Sequence, residues 1–116
     1  MSRKVDEDIF DRAINLAKKS PLVHKHGAII VRNNQIIAEG INHFAPFLMH
    51  MFSVHAEVHA LSKLKSKSKK FMEECTMIVV RLAPESSDTP CKLSKPCASC
   101  AEAIKKSGIR KVFYSI

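Results

Sequence analysis

Between Val5 and Ser20 the apolar residues fall at Val5, Ile9, Phe10, Ala13, Leu16 and Ala17, the three-to-four spacing of a helix with one buried face. Asp6, Glu7 and Asp8 open this segment and Lys18-Lys19 close it, as the helix dipole favours, and Pro21 stops it. The period then changes. His26-Gly27-Ala28-Ile29-Ile30-Val31 and Gln35-Ile36-Ile37-Ala38-Glu39-Gly40-Ile41 flank Asn33-Asn34. Two β-rich runs around a short Asn turn predict a hairpin, because Asn tolerates the positive φ such turns need. The first run is apolar throughout, so it should be buried on both faces. Asn42 ends the second run at the mouth of a loop, as a turn former or as a group presented to a ligand.

From His43 to Ser53 a loop carries Phe44, Pro46, Phe47, Leu48, Met49, Met51 and Phe52. Loops are normally polar, so these groups predict a pocket lining, a subunit contact or a satellite core. Ser53 is placed to cap a helix over Val54–Lys65, with Glu57 near its third position. Cys75 to Leu82 reads as a fully buried strand, and Ala83 to Pro96, with its three prolines, as a surface loop. Cys97 to Ser107 is a second helix stopped by Gly108, and Lys111 to Ser115 a final strand. The order α-β-β-α-β-α-β predicts an α/β fold whose mixed sheet has one hairpin and a parallel remainder.

The 116 residues make one domain, 1–116, and 46% hydrophobic with 26% charged residues excludes disorder. No run of eighteen apolar residues exists, which argues against a membrane span. The first residues turn acidic at once and lack the apolar stretch of a signal peptide, so a cytoplasmic, reducing location is expected. There the four cysteines are ligands or buried thiols rather than disulfides. The net charge of +8 attracts phosphate, on a nucleotide or along a nucleic acid. Much of it lies in Lys63-Leu64-Lys65-Ser66-Lys67-Ser68-Lys69-Lys70, read as a solvated helix end in preference to a nucleic-acid patch because no aromatics interleave it.

Two short stretches carry the chemistry: His55-Ala56-Glu57 and Pro96-Cys97-Ala98-Ser99-Cys100. Cys97 and Cys100 share one face of a helical turn, and a helix N-terminus favours their thiolates. With His55 they give three ligands, which leaves a fourth tetrahedral position on Zn2+ for water and marks a catalytic site. Two thiolates weaken the ion as a Lewis acid, so a base is needed, and Glu57 is close enough in sequence to supply it. The reaction that fits is hydrolytic attack on an amidine carbon of a nucleobase, with protons delivered to the ring nitrogen and then to departing ammonia. A redox pair would not need His55-Ala56-Glu57, and a zinc ribbon would want a second C-x-x-C. His55 and His59 have zinc-protease spacing, but the glutamate is one place too late, so His59 reads as a helix-face residue. Cys91 reads as a surface cysteine in preference to a spare thiol near the metal.

The pattern H-x-E…P-C-x-x-C is the signature of zinc deaminases. With Gly27-Ala28-Ile29-Ile30-Val31, Gly40-Ile41-Asn42 and Gly108-Ile109-Arg110-Lys111-Val112-Phe113-Tyr114, the chain resembles the cytidine and deoxycytidylate deaminase superfamily over nearly its whole length. The resemblance implies a cytidine-deaminase-like three-layer α/β/α sandwich, Zn2+ on His55, Cys97 and Cys100, and Glu57 as proton shuttle. It further implies substrate contacts from Asn42, Ala56, Ala28 and Phe44. The first substrate reading is a free cytosine-type nucleoside or nucleotide. The alternative is cytosine or adenine within single-stranded DNA or RNA, and a third reading is a non-catalytic zinc module, against which Glu57 argues. The chain lacks the fifth strand common in the family, so the exposed edge predicts a homo-oligomer or a truncated chain.

Overall fold

The computed structural model describes residues 7–45, 53–84 and 91–115. Helix α1 (Glu7–Ala17) turns Ala13, Leu16 and Ala17 inward, with Ile9, Phe10 and Ile14 packed around them. It ends earlier than the sequence pattern predicts, so Lys18 and Lys19 fall in the following turn and not in the helix. Ser20 ends it: its N–H donates to the Ala17 carbonyl at 3.0 Å and its buried hydroxyl to the Asn42 carbonyl at 2.8 Å.

Strands β1 (His26–Arg32) and β2 (Gln35–Ile41) form the predicted hairpin. Asn33 and Asn34 hold φ of 52° and 63°, the doubly left-handed turn whose twist matches the strands it joins. Gly27 to Val31 are all buried, as expected of a strand covered on both faces. Beyond Asn42 the predicted loop is partly a ribbon: β3 (His43–Phe44) pairs with β4 (Ser53–Val54). Residues 46–52, which carry most of that loop's apolar groups, lie outside the described residues.

Because Ser53 is paired in the ribbon, it does not cap the next helix. Helix α2 spans only Ala56–Ser62, its N-cap is His55, and no side chain caps it. The chain then turns through the lysine run, anchored by buried Leu64. A separate helix, α3 (Lys69–Glu73), starts where the Ser68 hydroxyl accepts from the Phe71 N–H at 3.1 Å. The run is therefore a link between two helices and not the end of one.

Strand β5 (Cys75–Leu82) is the centre of the sheet. It pairs antiparallel with β1 and with the short β6 (Cys91–Lys92), and parallel with β7 (Lys111–Tyr114), which follows α4 (Ala98–Ser107). Gly108 ends α4 with φ of 106°, a conformation that glycine adopts without strain. The order is β2-β1-β5-β6, with β7 also on β5. The sheet is mixed as predicted, but β1 lies antiparallel between β2 and β5. Parallel pairing of neighbours is thus confined, among the described residues, to β5 and β7.

The sheet has a fifth strand after all, but it is β6, from the segment read as a surface loop. Two buried side chains hold that segment down. Cys91 is 6% exposed and packs in the cluster with Ile78 and Val80, which corrects its reading as a surface cysteine. The Ser94 hydroxyl donates to the Val79 carbonyl at 2.8 Å and accepts from the Ser115 N–H at 2.7 Å, while the Ser115 hydroxyl donates to the Lys92 carbonyl at 2.6 Å.

Successive strand residues point to opposite faces. Ile29, Val31, Ile78 and Val80 meet α1, whereas Ala28, Ile30, Met77 and Val79 join the cluster that includes residues of α2, α3 and α4. This is the three-layer α/β/α arrangement. Each fully buried Ile or Val contributes about 1.5–3 kcal/mol through its removal from water. A glycine on each face brings a helix close. A Cβ on Gly27 would lie 2.7 Å from the Ala13 carbonyl oxygen, and one on Gly40 would lie 2.4 Å from that of Ala56.

Candidate metal centre

Helices α2 and α4 both begin at one end of the sheet, and the residues that open them face each other. His55 precedes α2 and Cys97 precedes α4 as N-caps, and Cys100 is in the first turn of α4. The Cys97 sulfur accepts from the Cys100 N–H at 3.5 Å, which folds the two thiols onto one side of the turn. His55 Nδ1 is 3.0 Å from Cys100 Sγ and 3.7 Å from Cys97 Sγ, and the three ligand atoms lie within 4.8 Å of one another. Zinc–ligand bonds of about 2.0–2.3 Å at tetrahedral angles separate ligand atoms by roughly 3.3–3.8 Å, so this donor set fits Zn2+. Cys100 is 1% exposed while His55 and Cys97 are exposed, so the cluster is closed from behind and open in front.

In front is a cavity of about 340 Å3 whose lining includes His55, Cys97, Ala56, Glu57 and Asn42. Glu57 is the second residue of α2 rather than its third, and it is 5% exposed. Burial pushes its carboxyl pKa up, opposed by its own backbone N–H and by His55. Burial, then the nearby Glu57 carboxylate, pushes the Cys100 thiol up to about 12. Burial thus opposes the thiolate that the helix start favours, and Zn2+ held by these residues would supply the countercharge a thiolate needs.

The remaining sequence-predicted contacts divide. Ala56 is fully buried and lines the cavity. Asn42 also lines it, but its side chain is engaged: Oδ1 accepts from the His26 N–H at 2.8 Å and Nδ2 donates to the His24 carbonyl. It thereby fixes the rim segment 24–26. Ala28 is enclosed in the core on the α2 face and does not reach the cavity wall. Phe44 is half-exposed on β3 and is likewise not among the lining residues.

His24, His26 and Lys95 line the cavity without having been singled out in the sequence. Arg81 Nη2 donates to His24 Nδ1 at 3.1 Å, and burial lowers the His26 pKa. Their only sequence signal is adjacency, to the β1 start and to Pro96-Cys97 respectively. His59 has a structural part. Its Nδ1 accepts from the Ile41 N–H at 3.1 Å and its ring meets that of His43 edge-on at 4.6 Å, tying α2 to the end of β2. Cys75 and Cys91 are buried away from the cluster, and none of the four cysteines is in a disulfide. Among the described residues no helix is long and apolar enough to cross a membrane.

Comparison with known proteins agrees with this geometry. Residues 3–116 match the family described as the cytidine and deoxycytidylate deaminase zinc-binding region. The riboflavin biosynthesis protein RibD of Bacillus amyloliquefaciens is 29% identical over 119 residues, covering 97% of this chain and 27% of that protein. The chain thus spans about a quarter of the length of the curated relative it matches. The fold matches that of a dCMP deaminase from the cyanophage S-TIM5, with a TM-score of 0.64, 23% identity and coverage of 95% of this chain and 84% of that one. A guanine deaminase from Bacillus subtilis aligns with a TM-score of 0.63 and 25% identity, over 97% of this chain and 64% of the other. With a matching model over almost every residue and a His-Cys-Cys cluster beside a buried glutamate, the chain belongs to the family of the cytidine and deoxycytidylate deaminase zinc-binding region.

Proposed function

We propose that the chain is a deaminase domain that hydrolyses the exocyclic amino group of a cytosine-type base in a nucleoside or nucleotide. His55, Cys97 and Cys100 hold Zn2+, and Glu57 carries the protons. The observation that supports this most is the convergence of three ligand atoms within 4.8 Å, at a cavity whose wall includes Glu57.

Zn2+, when bound there, supplies the Lewis acidity that makes water a competent nucleophile near neutral pH. The chain's own residues do the rest. Ala56 and the 24–26 rim held by Asn42 shape a cavity that a planar base can enter edge-first. The Glu57 carboxylate accepts a proton as the water oxygen bonds to the amino-bearing carbon, and passes it to the ring nitrogen. A second proton, from the new hydroxyl, goes through the same carboxyl to the amino nitrogen; the carbon–nitrogen bond breaks and ammonia leaves. Burial suits Glu57 to this exchange, because a raised carboxyl pKa brings its two protonation states closer in energy.

The test is ammonia release from cytosine, adenine and guanine nucleosides and nucleotides by the zinc-loaded protein. Cytosine compounds should be turned over. Glu57→Gln should lower that rate by about 10²–10⁴-fold while zinc content stays unchanged. A Glu57→Gln protein that keeps its rate would refute the shuttle role, and release from guanine or adenine alone would refute the choice of base.

A further inference from the structure

The metal cavity is not isolated. Lys95 lines it and also lines a second cavity of about 520 Å3 between α4 and β7, and Lys69 is common to that second cavity and a third of about 450 Å3 beside the lysine run. Three concave surfaces are thus joined end to end by lysines. The second holds four cations, Lys69, Lys95, Lys105 and Arg110, against one carboxylate among its lining residues, Glu73, which Arg110 already pairs at 3.1 Å. The third adds Lys65, Lys67 and Lys106 with no carboxylate in its lining.

The lysine run lacked aromatics in the sequence, but the fold brings one to this surface. Tyr114, in the last strand, lines the second cavity and is 38% exposed. A positive groove with an aromatic platform is the arrangement that holds single strands: lysines follow the phosphates and a base stacks on the ring. We infer that the groove between α4 and β7, reached from the metal cavity past Lys95, is a track for single-stranded nucleic acid. The inference rests on the deaminase reading above and extends it: the cytosine-type base is presented within a strand whose flanking phosphates lie on Lys95, Lys105 and Lys69. A strand suits this site because its base is free to enter a closed-backed cavity without first being unpaired. An anionic membrane is a poorer fit, since the cations line concavities rather than a flat or helical face.

The experiment measures anisotropy of a labelled oligodeoxycytidylate of about 16 nucleotides with the zinc-loaded Glu57→Gln protein, between about 50 and 200 mM salt. Binding should weaken steeply with salt. Lys69→Ser with Lys105→Ser should lower affinity about tenfold and reduce the slope of log affinity against log salt by about 0.7 per lysine. Tyr114→Ala should cost about tenfold in affinity with an unchanged slope. In the active protein these changes should leave mononucleotide turnover within about twofold, since none of the three residues lines the metal cavity. An affinity and slope unmoved by the lysine pair would overturn the track. So would equal binding to phosphatidylserine vesicles that displaces the strand, or a dimer that buries the groove and excludes the strand. Because this binding is read without turnover, a protein that releases no ammonia from any cytosine compound would fail the deaminase reading while the track was judged separately.

Discussion

The two faces of the sheet are made from alternate residues of the same strands, yet among the described residues the candidate metal ligands gather beside one of them. On the α1 face, Ile29, Val31, Ile78 and Val80 meet Ala13, Leu16 and Ala17, and the buried contact is apolar packing with the Arg12–Glu39 ion pair at its margin. On the other face the interior is built in the same way, from Ile30, Met77 and Val79 against Ala60 and Ile104. There, however, two helices begin side by side at one end of the sheet, and polar groups gather where the apolar packing stops. The difference is one of termini. A helix middle can offer a face, whereas a helix start offers N-cap side chains and unpaired N–H groups, here His55 and Cys97.

The paired glycines put this contrast to its hardest test. Gly40→Ala would push a Cβ against the α2 backbone at 2.4 and 2.5 Å, and Gly27→Ala against the α1 backbone at 2.7 and 3.0 Å. Both should destabilise by about 1–3 kcal/mol or more, with Gly40→Ala the larger. Only Gly40→Ala should also weaken zinc binding, by at least about tenfold, because α2 carries His55 and Glu57. Thermal unfolding and competition against a zinc indicator would separate the two effects. Equal loss of zinc affinity in both variants would mean that the faces do not act independently.

A smaller effect separates the faces by pH. Burial, chiefly, holds the His59 pKa below its ordinary value, so the folded chain prefers the neutral ring that accepts from Ile41. That contribution is present above the unfolded value of about 6.5 and fades as pH falls through and below it. His59→Gln should flatten the acid side of the stability curve below about pH 6.5. An unchanged curve would remove His59 from the link between α2 and β2.

The smallest effect is on the α1 side. Arg12 grips Glu39 with Nε at 2.6 Å and Nη2 at 3.0 Å, and that hydrogen bond holds the Glu39 carboxyl below its usual range. A depressed carboxyl contributes stability above the unfolded pKa of about 4.3 and loses it as pH falls further. Arg12→Ala should therefore cost a little at neutral pH and nothing in acid, with zinc affinity untouched.

What could be read in advance follows from the range of the interactions involved. The hairpin was legible because Asn33-Asn34 and the β-rich runs that flank them are neighbours in sequence. The ligand set was legible because two of its members share one helical turn and the third is followed by its carboxylate two residues on. The end of α2 was not, because the lysine run has helical propensity throughout and only buried Leu64 and the Ser68 cap divide it. Cys91 was misplaced because its burial depends on a two-residue pairing with Leu82 across a proline-rich connection. Ala28 carried a motif's signal, yet its small side chain serves the close approach of sheet and α2. Lys95 gained meaning only when the fold set it between two cavities.

The serine clasp between Ser94 and Ser115 has a further consequence for how the centre is tuned. Ser94 stands three positions before Cys97, and its hydroxyl is fixed both to the sheet and to the residue following β7. The thiol at the start of α4 is therefore tethered to the residue after β7 as well as to its own helix. A change confined to the final strand, remote in sequence from every ligand, can reset the bite of the cluster without touching any atom of it.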